Sequence, residues 1–250
     1  MQPTPTLEPP AGPATGPTGW LPVWIRALTK PSQSTYIEIT ESPQAGIRTA
    51  LLWVFLAGTV GAIISGLLTA ILQAAGVSTD WMGEAIRQFA PGGGQDGGSI
   101  GMGLVFSLLC SPIAGVVGAI LFAIGTAFIH WVASLLGGTG TYGRLAYALA
   151  AISVPVTLLY SVISPLSAIP LLGVCFGIVS LGATIYLLVL EITAVMAVER
   201  FGAGKALLSV FAIPLILFLC ACVVIAVLAA SGPAIGDIFS EINQSLLNAQ

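Results

Sequence analysis

The sequence predicts an all-α, polytopic bundle of about five transmembrane helices, and three observations predict it. Hydrophobic residues make up 56% of the chain and charged residues 7%, with a mean hydropathy of +1.02; a water-soluble domain carries roughly a quarter of its residues as charges. Separate apolar stretches are each long enough to cross a bilayer, which takes about 20 residues at 1.5 Å of rise apiece. Finally, the basic residues gather on one side when the crossings are counted as five. Lipid is therefore the solvent for most of the chain, and hydrocarbon accepts only segments whose backbone groups bond internally.

Residues 1–19 are rich in Pro, Thr and Gly, lack a basic start and an apolar run, and read as a disordered tail rather than a secretory signal. Residues 20–48 form an interfacial segment. Within it Trp20, Val23, Trp24, Ala27 and Leu28 repeat at helical spacing beside Arg26 and Lys30, an amphipathic helix suited to the cytoplasmic headgroup layer or to docking on the bundle. The transmembrane domain, residues 49–230, divides into spans at about 49–72, 104–136, 145–164, 171–198 and 207–230. The second and fourth exceed the minimum and should tilt, kink or emerge from the bilayer, with Pro112, Pro155 and Pro214 as kink points. Trp81, Ala85, Ile86 and Phe89 make a short amphipathic piece between the first two spans, followed by a flexible glycine-rich loop at 91–103. Residues 231–250 close the chain as an outer amphipathic tail, with Ile235, Ile238, Phe239, Ile242 and Leu246 opposite Asp237 and Glu241.

Sidedness follows from charge. Arg26, Lys30 and Arg48 precede the first span, Arg144 lies between the second and third, and Arg200 and Lys205 lie between the fourth and fifth. Only Arg87, of seven basic residues, falls on the other side. The positive-inside rule then sets the N-terminus in the cytoplasm and the C-terminus outside. A net charge of −3 and the lack of a basic run exclude a nucleic-acid partner.

Helices in lipid associate by close approach, which small residues four apart permit. Gly58, Ala62 and Gly66 form one such stripe, Gly115 and Ala119 belong to a second, and Gly173 and Gly177 to a third. Each serves packing within one bundle or pairing of two copies.

Chemistry is sparse. Glu191 is the one carboxylate well inside a span, nine residues before Arg200 and so roughly 13 Å from the basic end. It reads either as a proton or cation site or as a carboxyl reaching toward the interface, and no second buried charge is expected beside it. His130, the only histidine, stands beside Trp131 near the inner end of the second span, where an interfacial role is expected. Histidine and cysteine motifs with metal-ligand spacing are missing. Cys110, Cys175, Cys220 and Cys222 read as small buried hydrophobes. Gly138, Gly140 and Gly143 spell G-x-G-x-x-G, but between two membrane spans the pattern makes a tight turn, anchored by Arg144, rather than a nucleotide site. No cofactor or metal is expected, and nothing marks the chain as an enzyme.

The run Phe128-Ile129-His130-Trp131-Val132-Ala133-Ser134-Leu135-Leu136-Gly137-Gly138-Thr139-Gly140-Thr141-Tyr142, followed by Arg144, Tyr147, Ala148 and Pro155, resembles the YIP domain family of membrane proteins. Lys30-Pro31 with Tyr36 and Ile37 is similar to that family's pre-membrane segment, and Gly204, Lys205 and Ala206 match the start of its last helix. The likeness covers roughly residues 24–230. It implies five helices and a cytoplasmic N-terminus, as the charges do independently. Eukaryotic members are associated with Rab-type GTPases and vesicle traffic, but their Asp-Leu-Tyr-Gly-Pro motif is missing here, which argues against carrying that partner over. The short, loop-poor chain is more similar to bacterial members, which implies a multi-pass protein of the bacterial inner membrane.

Two functional classes follow. One is a non-enzymatic scaffold or adaptor organising the membrane, homo-oligomeric or bound to an unidentified membrane or cytoplasmic protein. The other is a small transporter or channel using Glu191.

Overall fold

The computed structural model describes residues 17–77 and 100–248. These form the helices α1 (Pro17–Thr29), α2 (Gln33–Thr40), α3 (Ile47–Ala74), α4 (Ile100–Leu135), α5 (Tyr142–Leu166), α6 (Pro170–Glu199) and α7 (Ala203–Asn248). Of the tail expected at 1–19, residues 1–16 lie outside the described residues, and α1 already begins at Pro17. The amphipathic piece at 81–89 also lies outside them, as does the glycine-rich stretch up to residue 99; α4 takes up its last residues from Ile100.

Among the described residues, four helices are long and apolar enough to cross a membrane: Ile47–Ala74, Ser107–Leu135, Tyr142–Leu166 and Leu172–Glu199. The pair Ala203–Ala212 and Pro214–Val227, bent by 44° and counted as one span, is a fifth candidate. Proline explains the break, since Pro214 offers no N–H and its ring collides with the carbonyl four residues back. By contrast, α4 continues through Pro112 and α5 through Pro155. Residues 231–248 continue α7 as helix rather than starting a separate segment.

α3 packs along both α4 and α5, while α6 and α7 engage the rest more sparingly. Burial shows where. Every residue of α5 from Leu145 to Ile152 is buried, as are Leu190, Ala194, Val195 and Val198 of α6 and Ala206 and Val210 of α7. At the far end Val174, Ile178 and Leu181 of α6 stay exposed, as do Val223, Val224 and Ile225 of α7. The bundle is closed at one end and open at the other. Eight consecutive buried positions put neighbours on all sides of α5, and Ala146, Ala148, Ala150 and Ala151 leave room for them.

The two short helices belong to the closed end. The apolar face of α1 docks on the bundle: the Trp53 ring, 1% exposed, meets Trp24 at 5.5 Å, Trp20 at 5.8 Å and Tyr147 at 4.8 Å between centroids. Leu21 and Ile25 on the opposite side of α1 remain exposed, apolar surface that suits a headgroup layer. The Tyr36 hydroxyl donates to the Ala27 carbonyl at 2.9 Å, and Arg26 pairs with Glu38, so α1 and α2 form one folded unit. Burial, together with the neighbouring Tyr186 phenol, pushes the Tyr36 pKa far above its ordinary value and keeps it a donor.

Candidate functional site

The closed end is built around a carboxylate. Glu199, the last residue of α6, is fully buried. One of its oxygens lies 2.7 Å from His130 Nδ1 on α4. The other accepts the Gly140 N–H from the α4–α5 turn at 3.0 Å. Its own carbonyl accepts the Thr139 N–H at 3.2 Å. One residue thus ties the end of α6 to α4 and to the turn that leads into α5.

The turn must be glycine-rich to admit it. α4 ends with Gly137 at φ +88°, a left-handed conformation that only glycine adopts without cost. A Cβ on Gly138 would collide with Glu199 Oε2. One on Gly140 would stand 2.7 Å from the Val198 carbonyl and 2.9 Å from the Glu199 carboxyl. Around this centre the Lys205 ammonium donates to the Leu136 carbonyl at 2.8 Å, tying the start of α7 to the end of α4, and the Tyr142 hydroxyl donates to the Ala123 carbonyl at 2.9 Å.

Three of the candidate residues therefore converge: His130, Gly137 and Gly138 all belong to the Glu199 clasp. His130, expected near the interface, keeps some exposure while pairing with the buried Glu199. Glu199, just past the fourth span as read from sequence, is a buried carboxylate because tertiary packing covers this helix end. It was not singled out from sequence, where it reads as one charge beside Arg200 at a membrane boundary. Its apolar setting, between Val198 and Phe201, is common at span edges and does not single it out.

Arg144 stands apart, exposed at the start of α5. The starts of α3 and α5 lie side by side, since a Cβ on Gly143 would be 3.6 Å from the Ile47 nitrogen. Glu191 is half-buried and outside the clasp. Five residues before it on α6, the Tyr186 hydroxyl donates to the Leu28 carbonyl at the end of α1.

Among the packing residues, Gly58 and Gly115 meet where α3 crosses α4: a Cβ on Gly58 would be 3.1 Å from Gly115 Cα. Gly66 faces Ser107 of α4. Ala62 and Ala119 line clefts between the same two helices. Gly173 abuts the Ser167 carbonyl in its own turn, and Gly177 has open space around it. Cys175, Cys220 and Cys222 point out of the bundle and Cys110 is half-buried, a correction to their reading as core residues; a thiol is apolar enough for a lipid-facing position. Among the described residues no group of three metal-ligating side chains assembles.

Both oxygens of the central carboxylate are occupied by protein partners, so the constellation holds helices together instead of presenting a reactive group. Fold and site define a non-catalytic multi-pass membrane protein. The chain belongs to the Yip1 domain family, whose profile matches residues 25–225. Neither the curated proteins nor the solved structures contain a match to it.

Proposed function

We propose that the protein is a non-enzymatic scaffold or adaptor of the bacterial inner membrane, with its N-terminus and closed end in the cytoplasm and its C-terminus outside. The observation that carries this reading is the Glu199 clasp: the polar construction at this end fixes helix ends in one arrangement, as a docking platform requires. The charges support the orientation, because Arg48, Arg144, Arg200 and Lys205 all lie at helix ends on the clasp side. The partner is a second copy or another membrane or cytoplasmic protein. Reporter fusions test the topology. A cytoplasm-active reporter is expected to work only at the N-terminus and a periplasm-active one only at the C-terminus; matching locations for both ends would refute the five-crossing arrangement.

A transporter or channel is the second reading, and the half-buried Glu191 carboxyl is what favours it. Against it, the bond from Tyr186 to Leu28 brings the amphipathic α1 beside α6 at a depth roughly 7.5 Å further from the clasp end than Glu191. That supports Glu191 lying at headgroup level. Proteoliposomes holding wild type or Glu191→Gln are expected to show the same background proton and cation flux as empty vesicles. Flux that appears with wild type and disappears with the variant would replace the scaffold by a transporter.

A further inference from the structure

We propose that the groove between α3 and α4 binds an anionic phospholipid, with an acyl chain against the two helices and the phosphate at Arg48. The groove has a volume of about 470 Å³, and Leu52, Phe55, Val116, Ile120 and Ala123 are among its lining, with Arg48 its single charged lining residue. Because the helices run antiparallel, α3 leads inward from Arg48 to Phe55 while α4 returns from Val116 to Ala123, each covering about 10 Å. The crossing of Gly58 and Gly115 closes the inner end. The side stays open, with Leu52, Val116 and Ile120 exposed by 46%, 47% and 52%. An apolar channel that opens sideways within a membrane span meets acyl chains and little else.

Charge selects the headgroup. Arg48 is exposed at the mouth and makes no ion pair among the described residues. The carboxylates that do pair are engaged elsewhere, Glu38 with Arg26 and Glu199 with His130. Arg144 begins the adjoining helix at the same end and is also without an ion pair there. A phosphate with no cation of its own complements this mouth. A choline headgroup brings a competing positive charge.

Native mass spectrometry of the full chain from nonionic detergent tests the site, with dioleoyl phosphatidylglycerol and dioleoyl phosphatidylcholine as probes. Wild type is expected to retain one phosphatidylglycerol in preference to phosphatidylcholine. Arg48→Gln should reduce that preference roughly fivefold, the worth of one basic side chain at an anionic surface, and Arg48→Lys should keep it. Ala119→Phe and Val116→Phe, which fill the groove, should lose both lipids. Melting temperatures identify variants that retain the fold, and either filling variant suffices. Equal retention of the two lipids by wild type overturns the proposal, as does an unchanged preference in Arg48→Gln. So does a dimer that survives added lipid and disappears on filling, which would make a second copy the occupant.

Discussion

Glu199→Ala is expected to lower the stability of the purified protein by about 3 kcal/mol, the low end for removing one partner of a buried pair, because the His130 side chain keeps some exposure. The substitution removes two interactions together, leaving His130 Nδ1 and the Gly140 N–H facing a void at the closed end. For a chain of this size the loss corresponds to a fall of roughly 6–12 °C in melting temperature. Glu199→Gln should fall between, because an amide oxygen still serves Gly140. The clasp also predicts non-additivity. Gly138→Ala drives a methyl into Glu199 Oε2 in the wild type, a collision that Glu199→Ala removes, so the double variant should be more stable than the summed costs by roughly 0.5 kcal/mol or more. Strictly additive melting shifts would mean that the turn and the carboxylate are not one unit.

Gly115→Leu is the second large effect. A Cβ there would lie 2.7 Å from the Phe55 carbonyl and against Thr59 Oγ1, so α3 and α4 must move apart along their whole contact. Overpacking of this kind costs about 1–3 kcal/mol or more. Gly177→Leu supplies the contrast, since nothing stands within 4 Å of its Cβ; it should change the melting temperature by little. If instead Gly177→Leu disrupts a crosslinked dimer while leaving the monomer stable, its stripe serves association between copies.

Spans and turn were legible because composition and glycine spacing write them locally. A 20-residue apolar stretch needs no tertiary information to be recognised, and Gly137-Gly138 announces a helix end by itself. The docking of α1 was legible only in part: spacing gave the face of Trp20 and Trp24, but the same face suits lipid and protein alike, and the Trp53 ring that captures it carries no pattern in sequence. Glu199 was illegible for another reason. Its partners, His130 and Gly140, are 69 and 59 residues away, and a charge beside a basic residue at a span's edge is indistinguishable from an ordinary boundary residue until the helices are assembled. The stripes show the same limit. Gly58 and Gly177 occupy equivalent patterns, yet one lies against another helix and the other faces outward.

The span of chain between His130 and Glu199 also sets a clock on biosynthesis. At ordinary translation speeds 69 residues take roughly 3–14 s to emerge. Throughout that interval the imidazole, soon followed by the bare glycine turn, has left the ribosome without the carboxylate that completes them. The nascent chain must therefore wait, held by the insertion machinery or by provisional contacts, until its fourth crossing delivers the residue that locks the earlier ones in place.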